Sequence, residues 1–191
     1  MPRRSEGHPE AVETLHDGHW LRLRRRGRWE YVERSHSDSG LVVIIAATTP
    51  DDHLLFVEQF RPPLDARTIE MPAGLVGDTD AADTIEDAAG RELVEETGWQ
   101  AEHVEVLLTG PASAGISNER IAFARATGLR RVGTGGGVGH EQIEVHEVPV
   151  ADAPAWLMRK GAEGYELDLK LWAGLWLLDR NPDGSPASPA R

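Results

Sequence analysis

Residues 70–99 read EMPAGLVGDTDAADTIEDAAGRELVEETGW, and the fold turns on this stretch. Its first third is a turn built on Pro72, Gly74 and Gly77. The remainder predicts one helix that starts near Asp83 or Thr84 and stops at Gly98, because Asp or Thr suits an N-cap and Gly suits the left-handed position past a helix end. On a helical wheel Ile85, Ala88, Ala89 and Leu93 form an apolar stripe, as in a helix lying on a core. Glu92 and Glu96 share that side, with Glu95 alongside, so the buried face turns acidic in its last two turns.

Three carboxylates crowded at the edge of a core repel one another and resist desolvation, and their pKa values should rise unless something positive joins them. A hard divalent cation such as Mg²⁺ meets that need, because it takes oxygen ligands and binds through a few carboxylates plus substrate phosphate. The plainer alternative is a solvated acidic helix end with Arg91 as its local partner. The flanking residues favour the metal. R-E-L-x-E-E-x-G followed by a large residue resembles the box of the Nudix hydrolase family, written G-x5-E-x7-R-E-U-x-E-E-x-G-U with U bulky and apolar. Arg91, Glu92, Leu93, Glu95, Glu96, Gly98 and Trp99 match it position for position. Two departures fall upstream. The box Glu is Asp83 here, and the MPAG context makes Gly74 the opening glycine, which leaves three extra residues in the turn. Both alter a supporting contact and spare the metal-facing turn.

The chain has 191 residues, enough for one domain that buries about 70% of its unfolded surface. No apolar run approaches the length of a membrane span, and Met1-Pro2-Arg3-Arg4 is not followed by an apolar signal core, so a cytoplasmic protein is expected. The absence of cysteine excludes disulfides and thiolate chemistry and suits that placement. A formal charge of −12 argues against general nucleic-acid binding. An acidic protein that handles phosphates must do so through metal ions and a few placed arginines.

Residues 1–10 and the Pro/Ser-rich tail, 181–191, read as disordered. Two strands are expected in an N-terminal arm spanning 1–40, roughly Val12–Arg24 and Arg28–Arg34, with a turn at Arg25-Arg26-Gly27. A two-stranded ribbon is rarely stable alone, so it should lie across a larger sheet or a second subunit. The body, 41–180, begins with LVVIIAAT at Leu41–Thr48, a continuous apolar run expected of a strand covered on both faces. Further strands are expected at His53–Phe60, Val104–Leu108, Ile121–Ala126 and Glu141–Val150, and helices at Ala151–Gly161 and Asp168–Arg180. Gly133–Gly139, GTGGGVG, reads as a flexible loop and lacks the Lys-Ser/Thr of a P-loop. This order implies an α/β fold with a mixed sheet between helices, in agreement with the α/β/α sandwich that the Nudix resemblance implies.

Outside the box the chain resembles the ADP-ribose pyrophosphatase branch, through Trp29-Glu30 on the arm, Glu58-Gln59-Phe60-Arg61, Glu70-Met71-Pro72-Ala73-Gly74, the Ser113-Ala114-Gly115 loop reaching Glu119, and Asp168-Leu169-Lys170 running into Ala173-Gly174-Leu175. The resemblance implies Glu92, Glu95, Glu96 and Glu141 as ligands of Mg²⁺, with Mn²⁺ as an alternative ion, together with the Ala73 carbonyl. It implies substrate contacts from Trp29, Glu30, Arg34, Arg61, Glu70 and Ser113. Trp29 would stack on a base, although a lone Trp also serves a core or a dimer contact. Arg61 would fork onto phosphate oxygens, although it could simply pair with Glu58 or Glu70. Glu141, after the glycine-rich hinge, would swing over substrate as metal ligand or base, with Glu144 in reserve. Glu95 and Arg91 complete the catalytic set, Arg91 by orienting the box carboxylates.

The implied reaction is metal-dependent hydrolysis of a nucleoside diphosphate sugar, ADP-ribose giving AMP and ribose 5-phosphate, in a homodimer formed through the arms. The competing substrates are other derivatives such as GDP-mannose or NADH. The competing class is a non-catalytic Nudix-like sensor of ADP-ribose or NAD, against which the intact Glu92, Glu95 and Glu96 count.

Overall fold

The computed structural model describes residues 10–35, 40–78 and 82–187. The arm is an antiparallel sheet of β1 (Val12–Asp17), β2 (Leu21–Arg26) and β3 (Trp29–Arg34) in that order. The sequence predicts two strands here. The first breaks at Gly18, whose N–H turns back onto the Leu21 carbonyl at 2.9 Å, and a Cβ on Gly18 would stand 2.7 Å from that oxygen. The second turn centres on Gly27 at φ +57°, a conformation that favours glycine. No residue of the three strands is buried. The arm meets the body through the Val32 N–H on the Ile116 carbonyl at 2.8 Å and through the Arg34–Glu119 ion pair.

The body runs β4 (Leu41–Ala47), β5 (His53–Arg61), β6 (Ala66–Glu70), β7 (Ala73–Leu75) and α1 (Ile85–Thr97). There follow β8 (Trp99–Gln100), β9 (His103–Pro111), β10 (Arg120–Thr127), β11 (Arg130–Arg131) and β12 (Glu144–Pro149). It closes with α2 (Ala153–Ala162), β13 (Glu166–Leu167) and α3 (Lys170–Leu177). Two mixed sheets form, β7-β4-β10-β9 and β12-β5-β6-β13, with β10 parallel to β4 and β13 parallel to β6.

β4 explains the layering. Its apolar run alternates between two cores, Val43, Ile45 and Ala47 packing with Ala88, Ala89 and Leu93 of α1 on one side, and Ile44 and Ala46 packing with Leu157 of α2 and Leu171 of α3 on the other. Both faces of one strand are therefore buried, and an α/β/α sandwich results. α1 begins at an N-cap formed by Thr84, which accepts from the Asp87 N–H while Asp87 reaches back to the Thr84 N–H, and it ends at Gly98 with φ +74°. The short turn Val150–Asp152 delays α2 to Ala153. In the tail the Asn181 N–H bonds the Ser185 carbonyl and the Ala187 N–H bonds that of Asp179, both at 2.8 Å. Residues 181–187, expected to be disordered, thus fold back on the end of the body, because the Asn181 side chain also holds Ser185 and the Pro186 carbonyl. The disorder expected at 1–9 and 188–191 lies outside the described residues.

Candidate active site

A cleft of about 350 Å³ opens where β7, the end of β6 and the last turns of α1 meet. Glu92, Glu96, Glu70, Arg61, Arg34, Ala73 and Glu141 line it, together with Gly74. β7 carries Ala73 and Gly74 against α1, and a Cβ on Gly74 would come within 1.9 Å of the Glu92 carboxyl carbon, so a side chain there would displace Glu92 from this position.

Loss of water pushes the Glu92 carboxyl up to about 7, with Glu95 and Asp78 adding to the rise against the pull of Arg91. Glu96 is 6% exposed and accepts the Ala73 N–H at 3.0 Å. Burial pushes its carboxyl up to about 8 despite that bond, and the charges of Glu92, Glu141 and Glu70 push the same way. Arg91 spreads its charge over several acids: it donates to Glu92 at 2.8 Å and Asp78 at 2.9 Å, and lies 3.6 Å from Glu95 and 3.9 Å from Asp83. Asp83 thus sits beside Arg91, where the box acid is expected to act as support.

The opposite wall is cationic, each cation fixed by an acid. Arg61 forks onto Glu70 with two bonds of 2.7 Å, Arg34 grips Glu119 at 2.7 Å, and Lys170 pairs with Asp168. Burial would raise Glu70, but bonds from Arg61 and Thr68 more than offset it and hold the carboxyl below its usual range. The expected pairing of Arg61 with Glu70 is therefore present, and both residues line the cleft.

Several expected residues stand elsewhere. Trp29 is 57% exposed at the start of β3, Glu30 is exposed beside it, and Ser113 is exposed in its loop; none lines the cleft of its own chain. Glu95 and Arg91 lie just outside the lining, behind Glu92. Glu144 stands opposite Glu58 in the register of β12 and β5 and does not line the cleft, whereas Glu141 does. The loop read as a flexible hinge is pinned, for the Gly136 and Gly137 N–H groups bond the Glu96 and Glu95 carbonyls. Glu119, Asp168, Lys170, Gln59 and Asp78 also line the cleft. Glu119 and the Asp168–Lys170 pair fall within stretches of branch resemblance. Asp78 sits in the lengthened turn and carries no sequence signal.

Among the described residues the only compact set of potential metal donors is Glu58, Glu144 and His146, whose ligand atoms all lie within 4.8 Å of one another. Glu58 is already satisfied there, accepting from Arg67 and bonding His146 at 2.9 Å with Lys160 3.9 Å away. Burial raises its carboxyl and those partners lower it further, to below the usual value. Glu58 and His146 therefore already belong to an ion-pair network with Arg67 and Lys160. Glu92, Glu96 and Glu141 are spaced more openly, as suits a cation that keeps some water and shares ligands with phosphate. An all-oxygen donor set, elevated carboxyls and a glycine cleared for Glu92 fit a hard divalent ion.

Residues 38–166 match the NUDIX domain. The chain belongs to the Nudix family. It is 33% identical to the ADP-ribose pyrophosphatase of Mycobacterium tuberculosis over 78% of this chain and 73% of that one. It is 30% identical to the methanol dehydrogenase activator of Bacillus methanolicus over 63% of this chain and 64% of that one. It covers between 36% and 66% of the length of three such relatives. A crystal structure of an ADP compounds hydrolase shares the fold at TM-score 0.61 and 18% identity, over 81% of this chain and 92% of that one. Nudix enzymes use divalent metals, and no helix among the described residues is long and apolar enough to cross a membrane.

Proposed function

We propose that this protein hydrolyses the pyrophosphate bond of nucleoside diphosphate sugars, converting ADP-ribose to AMP and ribose 5-phosphate. The observation that carries this reading is the placing, across one cleft, of incompletely compensated carboxyls on α1 opposite Arg61, Arg34 and Lys170 on the facing wall. Glu92 and Glu96 would hold a divalent ion, with Glu95, Glu141 and the Ala73 carbonyl near at hand, and the ion would lower the pKa of the attacking water and offset phosphoryl charge. Arg91 fixes Glu92, and the Ala73 N–H fixes Glu96, so both carboxylates are oriented before substrate arrives. Arg61 presents its remaining N–H groups to the diphosphate, and Glu70 keeps that fork aligned. Glu141 takes the proton of the attacking water. Oxygen adds to one phosphorus, the bridging P–O bond breaks, and the leaving phosphate departs with the electron pair.

Trp29 reaches a base only if it serves the cleft of a second chain. An arm sheet with no buried residue supports a homodimer in which arms are exchanged or stacked. Light scattering at micromolar concentration should return twice the chain mass, and a monomer overturns this part.

The test is a panel of ADP-ribose, GDP-mannose and NADH with Mg²⁺ or Mn²⁺, followed by AMP or GMP release. ADP-ribose should turn over fastest and chelation should abolish turnover. Faster release of GMP moves the assignment to another nucleotide sugar. Binding of ADP-ribose without release of AMP makes the protein a sensor and refutes the enzymatic reading.

A further inference from the structure

The glycine-rich segment before Glu141 also packs against the C-terminal end of α1. The last carbonyls of an α-helix have no partner within the helix. In α1 the Gly98 N–H takes the Val94 carbonyl, at 2.9 Å. The next two are taken from outside: the Gly137 N–H bonds the Glu95 carbonyl at 3.0 Å and the Gly136 N–H bonds the Glu96 carbonyl at 2.8 Å. The Val132 and Gly133 N–H groups then bond the Gly98 carbonyl at 2.8 and 3.0 Å. Four backbone donors of this segment therefore clasp the end of the helix that carries Glu92, Glu95 and Glu96.

Only glycine can make this approach. Gly135, Gly136 and Gly137 have φ of +68°, +109° and +85°. A Cβ on Gly135 would lie 2.4 Å from the Thr97 carbonyl carbon, and one on Gly137 would lie 2.6 Å from the Glu141 Cβ. Beyond the clasp the chain closes on itself, with the Ile143 N–H on the Gly136 carbonyl at 3.2 Å and the Glu141 N–H on that of Val138 at 3.1 Å. The Val138 N–H holds the Glu141 carboxylate at 2.9 Å. From helix end to carboxylate the path is a short, closed series of backbone bonds.

We infer that Gly135, Gly136 and Gly137 are positioning residues: the glycine clasp locks the Glu141 loop to the helix end bearing Glu92 and Glu96, so that Glu141 is held in the cleft by a fixed strap and not delivered by a swinging lid. This rests on the pyrophosphatase reading for its kinetic consequence, but its geometry is independent of it.

Two measurements on the full chain test it. In chelated wild-type protein, amide exchange at Gly136 and Gly137 should be as slow as in the last turn of α1; exchange at the rate of an open loop overturns the clasp. In steady-state hydrolysis of ADP-ribose with Mg²⁺, Gly137→Ala should lower kcat at least tenfold while KM stays within about threefold, and Gly135→Ala should act alike. Gly110→Ala, in β9 with open space for a methyl, should match wild type. The double variant Gly137→Ala/Glu141→Gln should be no slower than Glu141→Gln alone, because the glycine acts through that carboxylate. Unchanged kcat in Gly137→Ala, or losses that multiply in the double variant, overturns the inference. If the wild type hydrolyses no nucleotide sugar, the enzymatic reading falls and amide exchange alone decides the clasp.

Discussion

Glu58 and Glu70 sit on paired strands β5 and β6, Glu92 and Glu96 on α1, and all four have little contact with water, yet they titrate in opposite directions. Glu58 is bonded by His146 and the Arg67 guanidinium, Glu70 by the Arg61 guanidinium and Thr68, and both are held below the usual carboxylate range. Arg91, by contrast, is shared among Glu92, Glu95, Asp78 and Asp83, and Glu96 accepts the Ala73 N–H while Arg61, already forked onto Glu70, acts on it only at longer range. Burial raises every carboxyl, and the number of positive partners per acid decides whether the rise survives. The first pair is a finished structural device, and the second is short of positive charge that an ion would supply.

Removing a member of the unfinished pair should have the largest effect. Glu96→Gln should cut turnover at least a hundredfold while circular dichroism stays near wild type; near-wild activity in excess Mg²⁺ erases the distinction between the pairs. The pH dependence of stability comes next. In the folded, chelated protein Glu92 and Glu96 bind protons up to about 7 and 8, where the unfolded chain has released them above the ordinary carboxylate value. The folded state therefore holds more protons between roughly pH 4.5 and 8, and stability falls as pH rises through that window. Tm should therefore fall steadily between about pH 5 and pH 8. Saturating Mg²⁺ should flatten that slope, and a slope that persists contradicts ion binding at these acids. Glu58 and Glu70 have depressed values, so their contribution is present above pH 4.5 and is lost as pH falls further.

A smaller effect is expected on the finished pair. Glu58→Gln should destabilise the fold by roughly 2 kcal/mol, because Arg67 and Lys160 lose their counter-charge. Its turnover should remain within about threefold of wild type, and a larger kinetic loss would bring Glu58 into the site. The smallest change is expected for Asp83→Glu, which restores the usual box acid beside Arg91: turnover should move less than about threefold.

Much of this was readable from the chain, for reasons that vary by element. The α1 helix announced itself through the Thr84 cap, the Gly98 stop and the Ile85–Leu93 stripe, all local signals, and Glu92 and Glu96 followed from the same periodicity. The break after Asp17 was hidden because Trp20, Arg22 and Arg24 continue a strand-like alternation past Gly18. Glu119, Asp168 and Lys170 reach the cleft through β10 and α3, and only tertiary packing brings those elements to Arg34 and Arg61. Composition misled twice. Gly133–Gly139 suggested freedom where positive φ permits close docking, and the Pro/Ser-rich tail concealed the turn held by Asn181.

The central claim is that the acids of α1, and not the network around Glu58, receive the ion. A crystal grown with Mn²⁺ and a non-hydrolysable ADP-ribose analogue tests it through anomalous scattering. Peaks should lie against Glu92 and Glu96, with the diphosphate facing Arg61. A peak at Glu58, Glu144 and His146, with none beside α1, would contradict the account.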